Sequence, residues 1–290
     1  MPTLREVRSR IGGVQKTQKI TRAMKMVAAA KLRRAQSRLL AARPYARKMK
    51  ELLGDISSVP ELQGADLIAP REVKKVAIVV VTSDRGFCGA FNANLIRTVQ
   101  AHFDSLPPGV HASLLCIGKK GVDYFGKRGY NLIARHTGVY GSLTFSWAQS
   151  FAGEIIARYR KGEFDRVDVI YNEFKSIAQQ RILREQFLPI PPRALSSPAV
   201  KTPVDFIYEP DRAAILRSLL PRHLNFQIWR TLLESSTAEE GARMAAMENA
   251  TENAREMIST LQLQYNKARQ AAITKELLEV VSGAEALRSA

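Results

Sequence analysis

The sequence has little of what marks a secreted domain, a metal centre or a membrane span. Two cysteines, Cys88 and Cys116, occur in 290 residues. They show no metal-ligand spacing and no disulfide framework, so a reducing compartment is the expectation. No run of about 18 apolar residues is present, which argues against a spanning helix. The basic amino terminus lacks an apolar core, so no signal peptide is expected. The four histidines, His102, His111, His136 and His223, are scattered and form no metal or triad pattern. Carboxylates are plentiful, but no spacing marks an acid/base pair. Nothing in these patterns points to an enzyme acting alone.

Acid is also missing from one end. Residues 1–50 hold fifteen Lys or Arg against one acid, Glu6, a balance of +14 out of a net +17. Residues 211–290 hold ten of each sign and are neutral. Basic helices bind nucleic acid, an anionic membrane surface or an acidic protein, and a plain solvated face is the alternative.

What is present is periodicity. Met244, Met247, Thr251, Ala254, Ile258, Leu261, Tyr265, Ala268 and Ala272 alternate three and four apart, the period of a coiled coil. No Gly or Pro lies between Gly241 and Gly283. Ala and Thr stand where a zipper carries Leu, so the seam buries little area per turn and needs a partner. The amino-terminal end supplies one. Leu4, Val7, Ile11 and Val14 begin a seam that crosses the polar positions Gln18, Thr21 and Lys25. It resumes at Ala28, Leu32, Ala35, Leu39 and Ala42, with Gly12, Gly13 and Pro44 as interruptions. A polar break fixes register at a cost in stability, or else faces something other than the partner helix.

Thr3 with Glu6 forms a capping-box signature, and the first helix is expected to reach about Ser57, a rod of roughly 75 Å. Residues 58–75, with Pro60, Gly64 and Pro70, read as a linker. Val76–Val81 is a β-branched run suited to a strand buried on both faces. Strands are expected at Val110–Ile117, Tyr130–Arg135 and Arg166–Asn172, with helices following Asn92, around Lys119–Gly126 and over Thr144–Arg160. Gln179–Leu188 alternates as an edge strand, and Phe206–Tyr208 reads as a last short strand. This is the pattern of a doubly wound α/β domain. Asp211 is the expected N-cap of a final helix to about Val281, on the order of 105 Å long, bent or irregular at Pro221 and Gly241. The fold class is thus α/β: an antiparallel coiled coil of the terminal helices with an inserted Rossmann-like domain. The expected divisions are 1–57, 58–75, 76–210 and 211–290, with the carboxy-terminal arm projecting beyond the other.

Two stretches could carry chemistry. Gly86–Gly89 follows a strand and opens a helix. It could cradle a phosphate, but it lacks the second half of G-x-G-x-x-G, and a tight turn accounts for it. Arg269, Gln270, Thr274 and Glu276 fall within two turns of the last helix, where a solvated face with local ion pairs is the plain alternative. Met24 lies in the polar gap of the first seam; methionine there is ordinarily a packing residue.

These segments carry a resemblance. Ile20–Gln36 (ITRAMKMVAAAKLRRAQ), Thr82–Asn92 (TSDRGFCGAFN), Glu248–Ala254 (ENATENA), Tyr265–Gln270 (YNKARQ) and Ile273–Leu277 (ITKEL) are together similar to the gamma-subunit family of the F-type ATP synthases, over essentially the whole chain. The resemblance implies a central rotor shaft, one copy per complex, inside a hexamer of alpha and beta subunits. It also implies an epsilon subunit and a membrane c-ring at the foot of the shaft. Proton-driven rotation would cycle the catalytic beta subunits, while this chain holds no nucleotide, cofactor, metal or catalytic site. Met24 matches a position facing a beta-subunit loop, and Arg269, Gln270, Thr274 and Glu276 match polar positions at the same catch. Phe206, Tyr208 and Glu209 match the segment near the c-ring and epsilon; the family often has Tyr where Phe206 stands, which puts a hydrogen bond there in doubt. Lys16, Lys19, Arg22, Lys25, Lys31, Arg33 and Arg34 form a basic shaft face suited to acidic loops of the surrounding subunits. A bacterial protein on the cytoplasmic side of the membrane is implied, more than a mitochondrial matrix one. The rival from another class is a basic coiled-coil nucleic-acid-binding protein. It explains the charge but not a neutral second arm with an apolar end.

Overall fold

The computed structural model describes residues 3–57, 66–177, 179–191, 209 and 211–288. By contacts they form two units: Ala29–Arg243, and the residues up to Ala28 together with those from Met244 onward. Helix α1 (Leu4–Ser57) and the last helix each contribute to both.

The larger unit is built on a five-stranded sheet of order β3-β2-β1-β4-β5. Its strands are β1 (Lys75–Val81), β2 (His111–Ile117), β3 (Leu132–His136), β4 (Arg166–Phe174) and β5 (Gln180–Leu188). The first four are parallel, and β5 closes one edge antiparallel to β4. The helices between strands are α2 (Phe91–Asp104), α3 (Lys119–Phe125) and α4 (Phe145–Arg160). The β-branched run of β1 is buried on both faces because each face has its own layer. Val76, Ile78 and Val80 meet Leu95 and Val99 of α2 and Phe125 of α3. Ala77, Val79 and Val81 meet Phe151 and Ile155 of α4 and a leucine stripe on α5 (Arg212–Arg288). That stripe is Leu216, Leu220, Leu224, Ile228 and Leu232, one residue per turn. Met49 and Leu53 of α1 complete this layer.

The caps follow sequence chemistry. The Thr3 amide donates to Glu6 Oε2 at 2.9 Å, and the Glu6 amide to Thr3 Oγ1 at 3.3 Å, the reciprocal capping box. Thr144 accepts from the Trp147 amide at the start of α4, and Asp211 accepts from the Ala214 amide at the start of α5. Two expectations are corrected. β4 runs on through Phe174 rather than stopping at Asn172. Helix α5 continues past Val281 to Arg288. It runs as one helix through Pro221 and Gly241. Pro221 leaves the carbonyl one turn back unbonded, but Arg217 and Ser218 there are exposed and water can serve it. Gly241 is a close approach: a Cβ there would stand 3.3 Å from Phe174 Cε2. The strand expected at Phe206–Tyr208 lies outside the described residues.

Candidate partner-binding surface

The smaller unit pairs the start of α1 with the second half of α5. All nine seam residues from Met244 to Ala272 are buried or half-buried, and so are Leu4, Val7, Ile11, Val14, Gln18, Thr21, Lys25 and Ala28 facing them. The polar gap turns inward and is matched across the seam. Thr251 Oγ1 donates to Thr21 Oγ1 at 2.7 Å, and Lys25 Nζ reaches Glu248 Oε1 at 2.5 Å. Residue numbers rise on one arm as they fall on the other, so the arms are antiparallel. A hydroxyl pair and an ion pair are directional and specify this register, whereas small apolar side chains would tolerate sliding.

Outside the seam the surface is cationic. Lys16, Lys19 and Arg22 in this unit, and Arg33 and Arg34 in the larger one, are exposed and make no ion pair among the described residues. Two members of the expected basic face are instead engaged: Lys25 with Glu248, and Lys31 at 3.9 Å from Glu240.

The register brings Leu4 level with residues 268–269, so among the described residues α5 beyond that point has no partner helix. From 269 to 284 every residue but Ala272 is exposed. Ile273, Leu277, Val280 and Val281 stand there at i, i+4, i+7 and i+8, an apolar stripe with Leu277 61% and Val280 69% exposed. At about 100° per residue, Gln270 falls within the Val281 side of the stripe and Thr274 just beyond it, while Arg269 and Glu276 border the opposite side. The four polar residues thus form two strips rather than one face. Thr274 Oγ1 turns back to the Gln270 carbonyl at 3.0 Å. Met24 is level with residues 248–249, about 30 Å along the helix from Arg269, so the fold does not bring it to the tip cluster. Glu209 is exposed, and Phe206 and Tyr208 lie outside the described residues.

The other candidate is the crevice at the carboxyl ends of β1 and β4, where strand order reverses and where such sheets commonly bind ligands. Here it is filled from within the larger unit. Cys88, Phe91 and Phe174 pack against Ala238 and Ala242 of α5. The Gly86–Gly89 stretch is a tight turn with Phe87 (φ 61°) and Gly89 (φ 57°) left-handed. The Asp84 carboxylate is spent on the backbone, accepting from the Lys119 and Gly138 amides at 3.0 and 2.9 Å. Any phosphate would have to displace α5. Burial pushes the Cys88 thiol up, which makes it a poor nucleophile.

An apolar stripe bordered by polar groups thus lies exposed at the end of a basic helical hairpin. The profile of the ATP synthase family matches residues 3–287. The chain is 49% identical to the ATP synthase gamma chain of Chlorobaculum tepidum, over 99% of this chain and 100% of that one. It is 50% identical to the gamma chain of Chlorobium phaeobacteroides over the same shares. The chain belongs to the ATP synthase gamma family. Solved structures agree on the fold. A chain of the central stalk and c-ring of Tetrahymena thermophila mitochondrial ATP synthase superposes with a TM-score of 0.62 at 25% identity, covering 80% of this chain and 99% of that one. A chain of the Euglena gracilis mitochondrial enzyme gives 0.69 at 21% identity, covering 99% and 95%. The gamma-family motifs fall on distinct parts of this structure: TSDRGFCGAFN is the filled turn after β1, ENATENA is the register-setting part of the seam, and ITKEL is the exposed tip.

Proposed function

We propose that this gamma-family chain is the central rotor shaft of its ATP synthase and couples proton-driven rotation of a c-ring to the catalytic cycle of the beta subunits. Residues 1–57 and 211–290 would serve as the shaft, 58–75 as the link and 76–210 as the inserted body. The observation that carries this is identity near 50% to gamma chains over the full length, joined to a helical tip that is apolar and, among the described residues, exposed without a partner helix. Solved neighbours described as central stalk, c-ring and rotor support the same assignment of partners: alpha, beta and epsilon subunits and a c-ring. One asymmetric rod inside a near-threefold sleeve touches each beta subunit differently. It drives their equilibrium only through differential contact energy.

In this proposal Met24 and the strips Arg269/Glu276 and Gln270/Thr274 meet loops of the beta subunits at two levels of the shaft. The exposed cations pair with acidic loops of the sleeve. Phe206, Tyr208 and Glu209 lie toward the c-ring and epsilon. The chain lends no catalytic group, and its ligand crevice is filled. Among the described residues no helix is long and apolar enough to cross a membrane, which fits a peripheral place, proposed on the cytoplasmic side.

The test is ATP hydrolysis by matched, folded alpha and beta subunits with and without this chain, alongside size-exclusion chromatography. A stable large complex holding one copy of the chain, with raised turnover, is the expected result. No complex and no change in turnover would contradict the proposal and favour nucleic-acid binding, with its steep salt dependence.

A further inference from the structure

From Thr231 to Arg243 no residue of α5 is exposed, although eight of the thirteen are polar. The leucine stripe ends at Leu232, and Ser235, Thr237, Ala238, Gly241 and Ala242 follow. Apolar contact is non-directional, and a smooth small-residue helix can roll or slide at little cost. Directional contacts are what stop it, and besides Tyr140 donating to Ser235 Oγ at 3.4 Å three tie α5 to the sheet and to the turn after β1. Arg230 Nη2 donates to both oxygens of Glu185 on β5, at 3.0 and 2.7 Å, and Tyr171 of β4 holds the same carboxylate at 3.1 Å. Glu234 Oε2 accepts the Phe174 amide at 3.0 Å, at the end of β4, one turn further along. Arg243 donates to the Gly86 carbonyl at 3.4 Å, in the turn after β1, and is braced by Glu239 at 2.5 Å and Glu240 at 2.9 Å.

The three contacts do not share a face. Arg230, Glu234 and Gly241 lie within about 40° of one another on the helix wheel, toward the β4–β5 hairpin. Arg243 is nine residues from Glu234, about 180° round, and grips the other side. Phe174 packs against Gly241, where even a Cβ would stand a tight 3.3 Å from its Cε2. A helix held from opposite sides by bonds to strand ends and a backbone carbonyl can neither roll nor shift register without breaking several at once.

We propose that Arg230, Glu234 and Arg243 form a collar that fixes the roll of α5 on the sheet, so that helix and α/β body turn as one piece. They are positioning residues for torque transfer and touch no nucleotide. The inference rests on the rotor reading above.

The complete complex, reconstituted in vesicles with this chain, separates the two claims. ATP hydrolysis and ATP-driven acidification of the lumen are measured on one preparation. Wild-type complex that hydrolyses ATP without acidification overturns the rotor reading and the collar with it. With wild type coupled, Glu234→Ala combined with Arg243→Ala is expected to keep hydrolysis within about twofold while acidification per ATP falls at least threefold. Glu234→Gln, which keeps an acceptor for the Phe174 amide, is expected to retain the wild-type ratio. Exchanging charges in Arg230→Glu with Glu185→Arg is expected to recover what Arg230→Glu alone loses. Ile228→Val, on the apolar stripe, lowers thermal stability but should leave the ratio alone. An unchanged ratio in the Glu234/Arg243 variant overturns the collar. So does an equal loss in Ile228→Val, or a variant that fails to assemble while Ile228→Val assembles, since each means structural support only.

Discussion

One buried polar cluster, around His102 and Asp168, is partnered in a way that assigns its protons. His102 Nε2 is 3.0 Å from Asp168 Oδ2, and Arg184 Nη1 is 2.8 Å from His102 Nδ1. An arginine only donates, so Nδ1 accepts and Nε2 carries the proton toward Asp168. Arg166 donates to the other oxygen of this fully buried carboxylate at 2.9 Å. Asp168→Ala strands two donors and should cost about 3 kcal/mol in denaturant unfolding. A loss under about 1 kcal/mol would contradict the network. Gly118 has φ of 97°, and a Cβ there would fall 2.1 Å from the Thr82 carbonyl oxygen. Gly118→Ala should therefore cost at least about 2 kcal/mol by the same assay. Burial lowers His223 to about 4, so it stays neutral in the fold and takes a proton only when unfolded over most of the acid range. Its share of stability is present above about pH 6.5 and lost as pH falls toward 4. His136, lowered chiefly by burial, pulls the same way, while Glu234 and Glu239, pushed up chiefly by burial, pull the other. Thermal midpoints at pH 7 and pH 4.5 should differ less in His223→Gln than in the unmodified chain. None of these partnerships was legible in the sequence, where the histidines show only as scattered and without a metal or triad pattern. Their partners lie tens of residues away, and a single chain read along its length shows no spacing for them.

Whole elements were the legible part. Each seam position from Met244 to Ala272 turned inward because a 3.5-residue period leaves one face to bury, whatever the side-chain size. Gln18, Thr21 and Lys25 read as a break in the first seam. The structure shows that Thr251 of the second seam and Glu248 beside it answer Thr21 and Lys25, a match visible only once the antiparallel register is known. Helix α5 outran its expected end because Gly283 is exposed and open on all sides, so it weakens the helix without stopping it. The crevice over β1 and β4 was beyond sequence reading, since Ala238 and Ala242 look like ordinary helix formers. Lean packing has a dynamic consequence. In the isolated chain, amides of 269–284 should exchange quickly and those of 231–243 slowly, with the paired arms between. Strong uniform protection along α5 would contradict this.

For the whole molecule, charge is the lever. The net +17 sits mainly on the first fifty residues, and Lys16, Lys19, Arg22, Arg33 and Arg34 are exposed with no ion pair among the described residues. Neutralising these five to Gln should weaken assembly with alpha and beta subunits, and weaken it further at high salt, because screened surface charges contribute less. Assembly and coupling unchanged at all ionic strengths would sink that pairing. Lys25 and Lys31 are poorer choices, since each already has a carboxylate partner.

The most direct test of the rotor account fixes the alpha–beta hexamer to a surface and attaches a probe to the α/β body of this chain, at an exposed position such as Lys127. With ATP, the account predicts continuous rotation in one direction, abolished by removing the tip of α5 together with the register-setting Thr251 and Glu248. A probe that stays fixed or only wobbles, on complexes that hydrolyse ATP at the full rate, would contradict it.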